Sequence, residues 1–144
     1  MRLGFLLATT SVLLFSGFTL KPENPDQPGL YGTHWKLRKL HEGDSVTVVD
    51  TRAFIRFNQE KASAGGNGSC NSFGSSLYIK GDSMHLSRLF STQMYCEGVQ
   101  ATENAFFRKL EQVNRYQVTG TSLVLYRGKV PLLEFSAEPD TPNP

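Results

Sequence analysis

Cys70 and Cys96 are the only thiols in this chain of 144 residues, and Cys70 stands in a run of small residues, GGNGSCNSFG, at positions 65–74. A glycine-rich run of this kind can serve several chemistries. A dinucleotide fingerprint needs G-x-G-x-x-G between a strand and a helix; Gly66 and Gly68 begin one, but Asn71 holds the last position and no helical pattern follows at once. A phosphate loop also needs a Lys-Ser/Thr pair, and none stands there. A nucleophile elbow needs a second glycine, where Gly68-Ser69-Cys70-Asn71-Ser72 offers Ser72.

A thiol nucleophile needs a base to make the thiolate. His34, His41 and His85 are the only histidines, and His85 lies in the strand-like SMHLS, where it can face either way. No C-x-x-C or H-x-x-x-H spacing marks a zinc site. Asp44, Asp50 and Asp82 read as turn or strand-end residues and form no paired-carboxylate motif. The residues therefore assign no catalytic group, no metal ligand and no cofactor.

The elements that position these residues are mostly strands. HWKLRKL alternates at Trp35, Leu37 and, after a slip, Leu40; AFIRF places Ala53, Ile55 and Phe57 on one face. SVTVVD, SSLYIK, SMHLS, YQVTG, SLVLYR and PLLEF each fit a short strand, and Gly81-Asp82, Gly120-Thr121 and Gly128-Lys129 supply turns. This spacing predicts an antiparallel barrel or sandwich. One segment differs. GVQATENAFFRKLEQV sets Val99, Phe106, Leu110 and Val113 at helical spacing, with Glu103, Arg108 and Glu111 outside the stripe, and predicts one amphipathic helix over about Val99–Val113. The helix is expected to cover one end or face of the sheet.

Proline sets the expected boundaries. Residues 1–20, MRLGFLLATTSVLLFSGFTL, carry Arg2 and then no charge until Lys21, the outline of a secretory signal or an uncleaved membrane tether. Leu14-Phe15-Ser16-Gly17 resembles the end of a lipobox, but Phe18 stands where lipidation needs a cysteine. Residues 21–32 form a Pro-rich tether, 33–136 the folded unit, and 137–144 a tail expected to be disordered. Net charge is +2, and loss of residues 1–20 takes Arg2 alone, leaving a nearly neutral chain without a basic run. Nucleic acid is thus not an expected partner. An even number of cysteines in an exported chain favours a disulfide over a free thiol.

The stretch GGNGSCNSFGSSLYIKGDSMHLSRLFSTQMYC carries a resemblance. Cys70-Asn71, then Thr92-x-Met94-x-Cys96, then a helix with a Glu and an apolar face, then YQVTGTSLVLYRG and PLLEF, resemble the META domain, the family that includes the bacterial heat-shock protein HslJ. The opening Trp35-x-Leu37 is also typical. By strict spacing the glycine of the family's G-x-x-C-N falls at Asn67, one residue before Gly68. The resemblance covers roughly Thr33–Phe135. It implies a mostly β fold, a small antiparallel β-barrel-like structure with one amphipathic α-helix. It also implies an envelope protein of stress-related role, without catalytic residues to carry over.

Under that resemblance, GGNGSC reads as architecture. Either Asn67-Gly68 makes a tight hairpin turn, or AFIRF turns at Asn58-Gln59-Glu60 and returns through KASAGGNGSCNSF, the reading the family favours. Cys70 is then expected near Cys96, with Asn71 satisfying backbone groups at a turn or bulge. Trp35, Phe57, Phe73, Met94 and Phe106 are expected in the core. The functional expectation is an exported, monomeric, non-enzymatic domain of the periplasm or cell envelope that binds an envelope protein or component. A barrel holding a small apolar ligand is the alternative, and a thiol-dependent enzyme a third reading.

Overall fold

In the computed structural model, which describes residues 29–139, the chain forms nine strands, most of them with period-2 burial. They are β1 (His34–Glu42), β2 (Ser45–Val48), β3 (Phe54–Asn58), β4 (Ser63–Asn67), β5 (Ser72–Lys80), β6 (Ser83–Ser91), β7 (Arg115–Thr119), β8 (Ser122–Arg127) and β9 (Val130–Glu138). The one helix, α1 (Gln100–Leu110), falls between β6 and β7. All strand pairs are antiparallel, and each strand from β3 to β9 pairs with the next. β1 pairs with β9 on one side and with β2 and β3 on the other, so the strands close into a barrel-like ring with β2 as an outlying flap.

The slip in HWKLRKL is a bulge. β1 changes register against β9 between Leu37 and Lys39, which returns Leu40 to the inner face beside Trp35 and Leu37. Ala53, Ile55 and Phe57 also point inward, and Leu123, Leu125, Leu133 and Phe135 line the opposite wall. Gly81, Gly120 and Gly128 sit in the expected turns with φ of 61°, 56° and 61°, a region L-residues avoid. The chain also turns after Asn58, whose side chain accepts the Lys61 N–H at 2.8 Å. The returning strand does not run on through SCNSF. It stops at Asn67, and residues 68–71 form a second turn into β5.

The helix is shorter than its periodicity suggested. Val99 is its N-cap and Val113, though buried, lies beyond its end in the connection to β7. Phe106 is fully buried and meets Phe73 edge-on at 5.6 Å and Phe135 at 6.2 Å between ring centroids. Lys109 is buried too; its Nζ donates to the His41 carbonyl and pairs with Glu42 at 2.9 Å, tying the last helical turn to the end of β1.

The domain reaches past both expected limits. Leu30 is buried, the Trp35 indole donates to its carbonyl at 3.0 Å, and Tyr31 bridges Phe57. At the other end Ala137 and Glu138 belong to β9, opposite Trp35 and His34, and the Ala137 N–H reaches the Thr121 carbonyl. The ordered unit therefore includes Leu30 and runs to Glu138. Residues 1–28 and 140–144, on which the expected leader and most of the expected tether and tail fall, lie outside the described residues. No helix of the described residues is long and apolar enough to cross a membrane.

Salt bridges line the outside of the β1–β9 seam. Glu134 accepts from Lys39 at 2.9 Å and lies 2.7 Å from His41 Nε2. Partial burial pushes its carboxyl up, but these two partners outweigh that and hold it below the usual carboxylate range. A depressed carboxylate stabilises the fold above its unfolded value and stops doing so as pH falls through its folded value. Glu134→Gln is therefore expected to melt below wild type at neutral pH. The gap should close in acid, below the ordinary carboxylate range, as checked by denaturant midpoints across pH. A gap that stays constant into acid would assign the loss to packing.

Candidate functional site

The motif residues meet at one end of the ring, where the β4–β5 turn, the segment after β6 and the first turn of α1 converge. The turn begins at Asn67, whose Oδ1 accepts the Ser69 N–H at 2.8 Å, an Asx turn that sets the chain's direction. Gly68 then donates its N–H to the Asn71 carbonyl at 2.8 Å. The tight turn leaves Ser69 at φ 104°, outside the usual range for a residue with a side chain.

Glu103 fills the centre of this turn. It is 1% exposed. Its Oε2 accepts the backbone N–H groups of Cys70 at 2.9 Å and Asn71 at 2.7 Å, and its Oε1 accepts the Asn71 side-chain amide at 2.6 Å. An acceptor-only carboxylate suits three converging donors, and burial makes those bonds necessary. Gly68 makes room for it. A Cβ at position 68 would lie 2.7 Å from Glu103 Cγ and Oε2 and 2.7 Å from the Phe107 ring.

Asn71 is the hub. Its Nδ2 also donates to the Met94 carbonyl at 2.9 Å, while its Oδ1 accepts from Thr92 Oγ1 at 2.9 Å and the Met94 N–H at 2.7 Å. Every donor and acceptor position of the amide is used. Cys70 and Cys96 are joined by a disulfide, with Cα atoms 5.9 Å apart, so the turn is linked to residues 92–96 both covalently and through Asn71. Cys96 in turn donates its N–H to Gln100 Oε1 on the helix.

Five of the residues singled out from sequence thus converge: Gly68, Cys70, Asn71, Thr92 and Cys96. Trp35 does not join them; it is fully buried in the ring. Met94 corrects an expectation. Its side chain is 58% exposed rather than in the core, because the motif uses its backbone N–H and carbonyl. Glu103 corrects another: expected outside the apolar stripe, it is among the most buried residues of the helix. Glu103, Phe106 and Leu110 follow i, i+3, i+7 spacing, so the position was visible although the residue type disguised it.

The histidines lie elsewhere. His41 pairs with Glu134, His34 stacks on Phe54 at 4.1 Å, and His85 is an exposed residue of β6. With both cysteines in a disulfide, no thiolate is available among the described residues. The chemistry of this cluster is mutual satisfaction: each polar group completes another's hydrogen bonding.

This chain belongs to the META domain family, which it matches over residues 28–140. It is similar to an NMR structure of a protein from Burkholderia xenovorans, with TM-score 0.65 at 19% identity over 82% of this chain and 99% of that one. A second NMR structure is similar with TM-score 0.53 at 20% identity, covering 72% of this chain and 87% of the other. At such identities the likeness is one of fold. Comparison with curated proteins finds no significant match.

Two sets of variants test the cluster. Glu103→Ala leaves three buried donors without an acceptor and is expected to cost about 3–5 kcal/mol. Glu103→Gln is expected to cost somewhat less, since one orientation of its amide keeps an acceptor toward the Cys70 and Asn71 N–H groups and sets only its NH2 against the Asn71 side-chain amide. Urea unfolding measures both, and a near-neutral Glu103→Ala would overturn this account. For the disulfide, the loop spans 26 residues in sequence, worth roughly 3.5 kcal/mol in the chain-entropy model. Cys70→Ser and Cys96→Ser are expected to lose similar amounts, and the double variant little more, because each removes the same bond.

Proposed function

We propose that this META domain is a non-enzymatic binding module of the cell envelope, stress-related in role, acting on an envelope protein or component. The observation that carries this reading is that the motif residues are spent on one another. Asn71 has no unused hydrogen-bonding position, the Glu103 carboxylate is committed to the β4–β5 turn, and the cysteines are bonded together. A disulfide suits an oxidising compartment, and the uncharged leader of residues 3–20 supports export.

Binding through the outer surface fits better than binding inside the ring. Trp35, Phe57, Phe106 and Phe135 fill the interior with side chains at most 2% exposed. That occupancy disfavours the reading of a barrel around a small apolar ligand, which needs an interior left open.

The decisive experiment is capture from native envelope extract by the exported form, with partners identified by mass spectrometry. A defined envelope partner retained by wild type and lost on unfolding of the domain is the expected result. Turnover of a substrate by the pure domain, abolished by a single substitution that leaves its stability unchanged, would replace this reading with an enzymatic one.

A further inference from the structure

The outer face of the β3–β4 hairpin carries features that the motif cluster does not use. Ala53, Ile55 and Phe57 point inward, so Arg52, Phe54 and Arg56 point outward along one edge of this face. Across the sheet from Arg56 the register places Gly65 on β4 and then Gly74 on β5. The floor is therefore backbone without side chains. Beyond it the Phe90 ring lies over Gly74, where a Cβ would come within 2.6 Å of its Cζ, yet Phe90 remains 69% exposed. The result is a trough along the outward edge of β3, bordered by Gly65 and Gly66, with the Phe90 ring covering Gly74 further across the sheet.

The trough is basic among the described residues. Two adjoining clefts share Phe54 and Gly66, and they are lined by Arg52 at one end and by Lys61 at the other, with no acidic side chain among the described residues; Asp50 and Glu97 line a separate cleft that Arg52 and Ser69 also border. Arg52 makes no ion pair among the described residues; its guanidinium only approaches the Ser69 carbonyl at 3.5 Å. The cleft of about 380 Å³ beside Arg52 is also lined by Ser69. Ser69 is 5% exposed, and its hydroxyl is buried without a hydrogen-bond partner. Buried hydroxyls are nearly always satisfied, so an orphan hydroxyl next to an unpaired guanidinium marks a place for an acceptor that arrives with a ligand.

We propose that this trough binds an extended acidic peptide segment, one carboxylate seating between Arg52 and the Ser69 hydroxyl and others lying along the hairpin toward Lys61. The inference deepens the binding role above and rests on it. A single carboxylate side chain can enter a recessed cleft to reach a buried hydroxyl, whereas a flat lipid surface meets only what projects. The glycine floor lets a chain lie close, and alternate side chains of an extended peptide face one way at about 6.8 Å intervals. A guanidinium and a hydroxyl together match the two oxygens of a carboxylate.

The test uses the full chain and a synthetic peptide of about seven residues, long enough to span the hairpin, alternating Glu and Gly. Backbone resonances of Gly65, Gly66 and Ser69 are expected to shift on titration. The peptide with Gln for Glu should bind at least about tenfold more weakly. Arg52→Gln, an exposed substitution that leaves the core intact, should weaken the acidic peptide about five- to tenfold. Lys129→Gln, with the same charge change on the β8–β9 turn, should stay within about twofold. Ser69→Ala should weaken binding with an unchanged melting temperature.

Equal weakening by Arg52→Gln and Lys129→Gln would reduce the effect to net charge and overturn the site. Shifts of these resonances with anionic phosphatidylglycerol vesicles but not with peptide would overturn the peptide in favour of a membrane surface. Envelope capture that survives Arg52→Gln, with no peptide binding, would remove this site and leave the binding role standing. Peptide binding without any envelope partner would do the reverse.

Discussion

A carboxylate buried at one end of a hydrophobic ring has to be met by donors, and the local architecture follows from how Glu103 is met. The helix supplies the acceptor from its first turn, where a negative group also suits the helix dipole. Three donors must then be brought to a point, and consecutive backbone N–H groups at Cys70 and Asn71 do so only if the chain turns sharply. That turn demands a residue without a Cβ at position 68. It also accounts for the unusual backbone of Ser69. One buried ionisable side chain thereby sets the shape of a loop thirty-odd residues away in sequence.

Asn71 extends the same logic outward. Its amide is held on one side by Glu103 and so presents its remaining positions to the chain after β6 in a fixed orientation. The segment that links the sheet to the helix is thus pinned by an amide and by a disulfide, two constraints of different chemistry acting side by side. β6 and β7 are bridged by a single residue pair, Ser83 with Arg115, and the helix lies between these strands in sequence. The helix is fixed to other parts of the ring: Phe106 meets Phe73 of β5 and Phe135 of β9, and Glu103 bonds to the β4–β5 turn.

The strands were legible in the sequence because burial repeats every second residue, and even the bulge in β1 showed as a slip between Leu37 and Leu40. The turns at Gly81, Gly120 and Gly128 were legible because backbone strain selects glycine there. The role of Glu103 was not. A charged residue on an apolar face looks like part of the solvated face until its donors are known, and those come from a distant loop. Met94 was misread for a related reason: a methionine suggests core, but here the backbone at that position is what the motif uses. The limits of the domain were misjudged because Leu30 and Ala137 sit next to proline-rich stretches whose composition masks two or three ordered residues.

The ring closes by pairing its first strand with its last, and His34 lies opposite Glu138. The first and last strands are therefore neighbours, about 5 Å apart, while the chain ahead of β1 runs beside β3, where Tyr31 bridges Phe57. Such a domain can be spliced into a loop of another protein, or have its ends joined by a short linker and be reopened at the Gly120 hairpin, without altering any strand's neighbours.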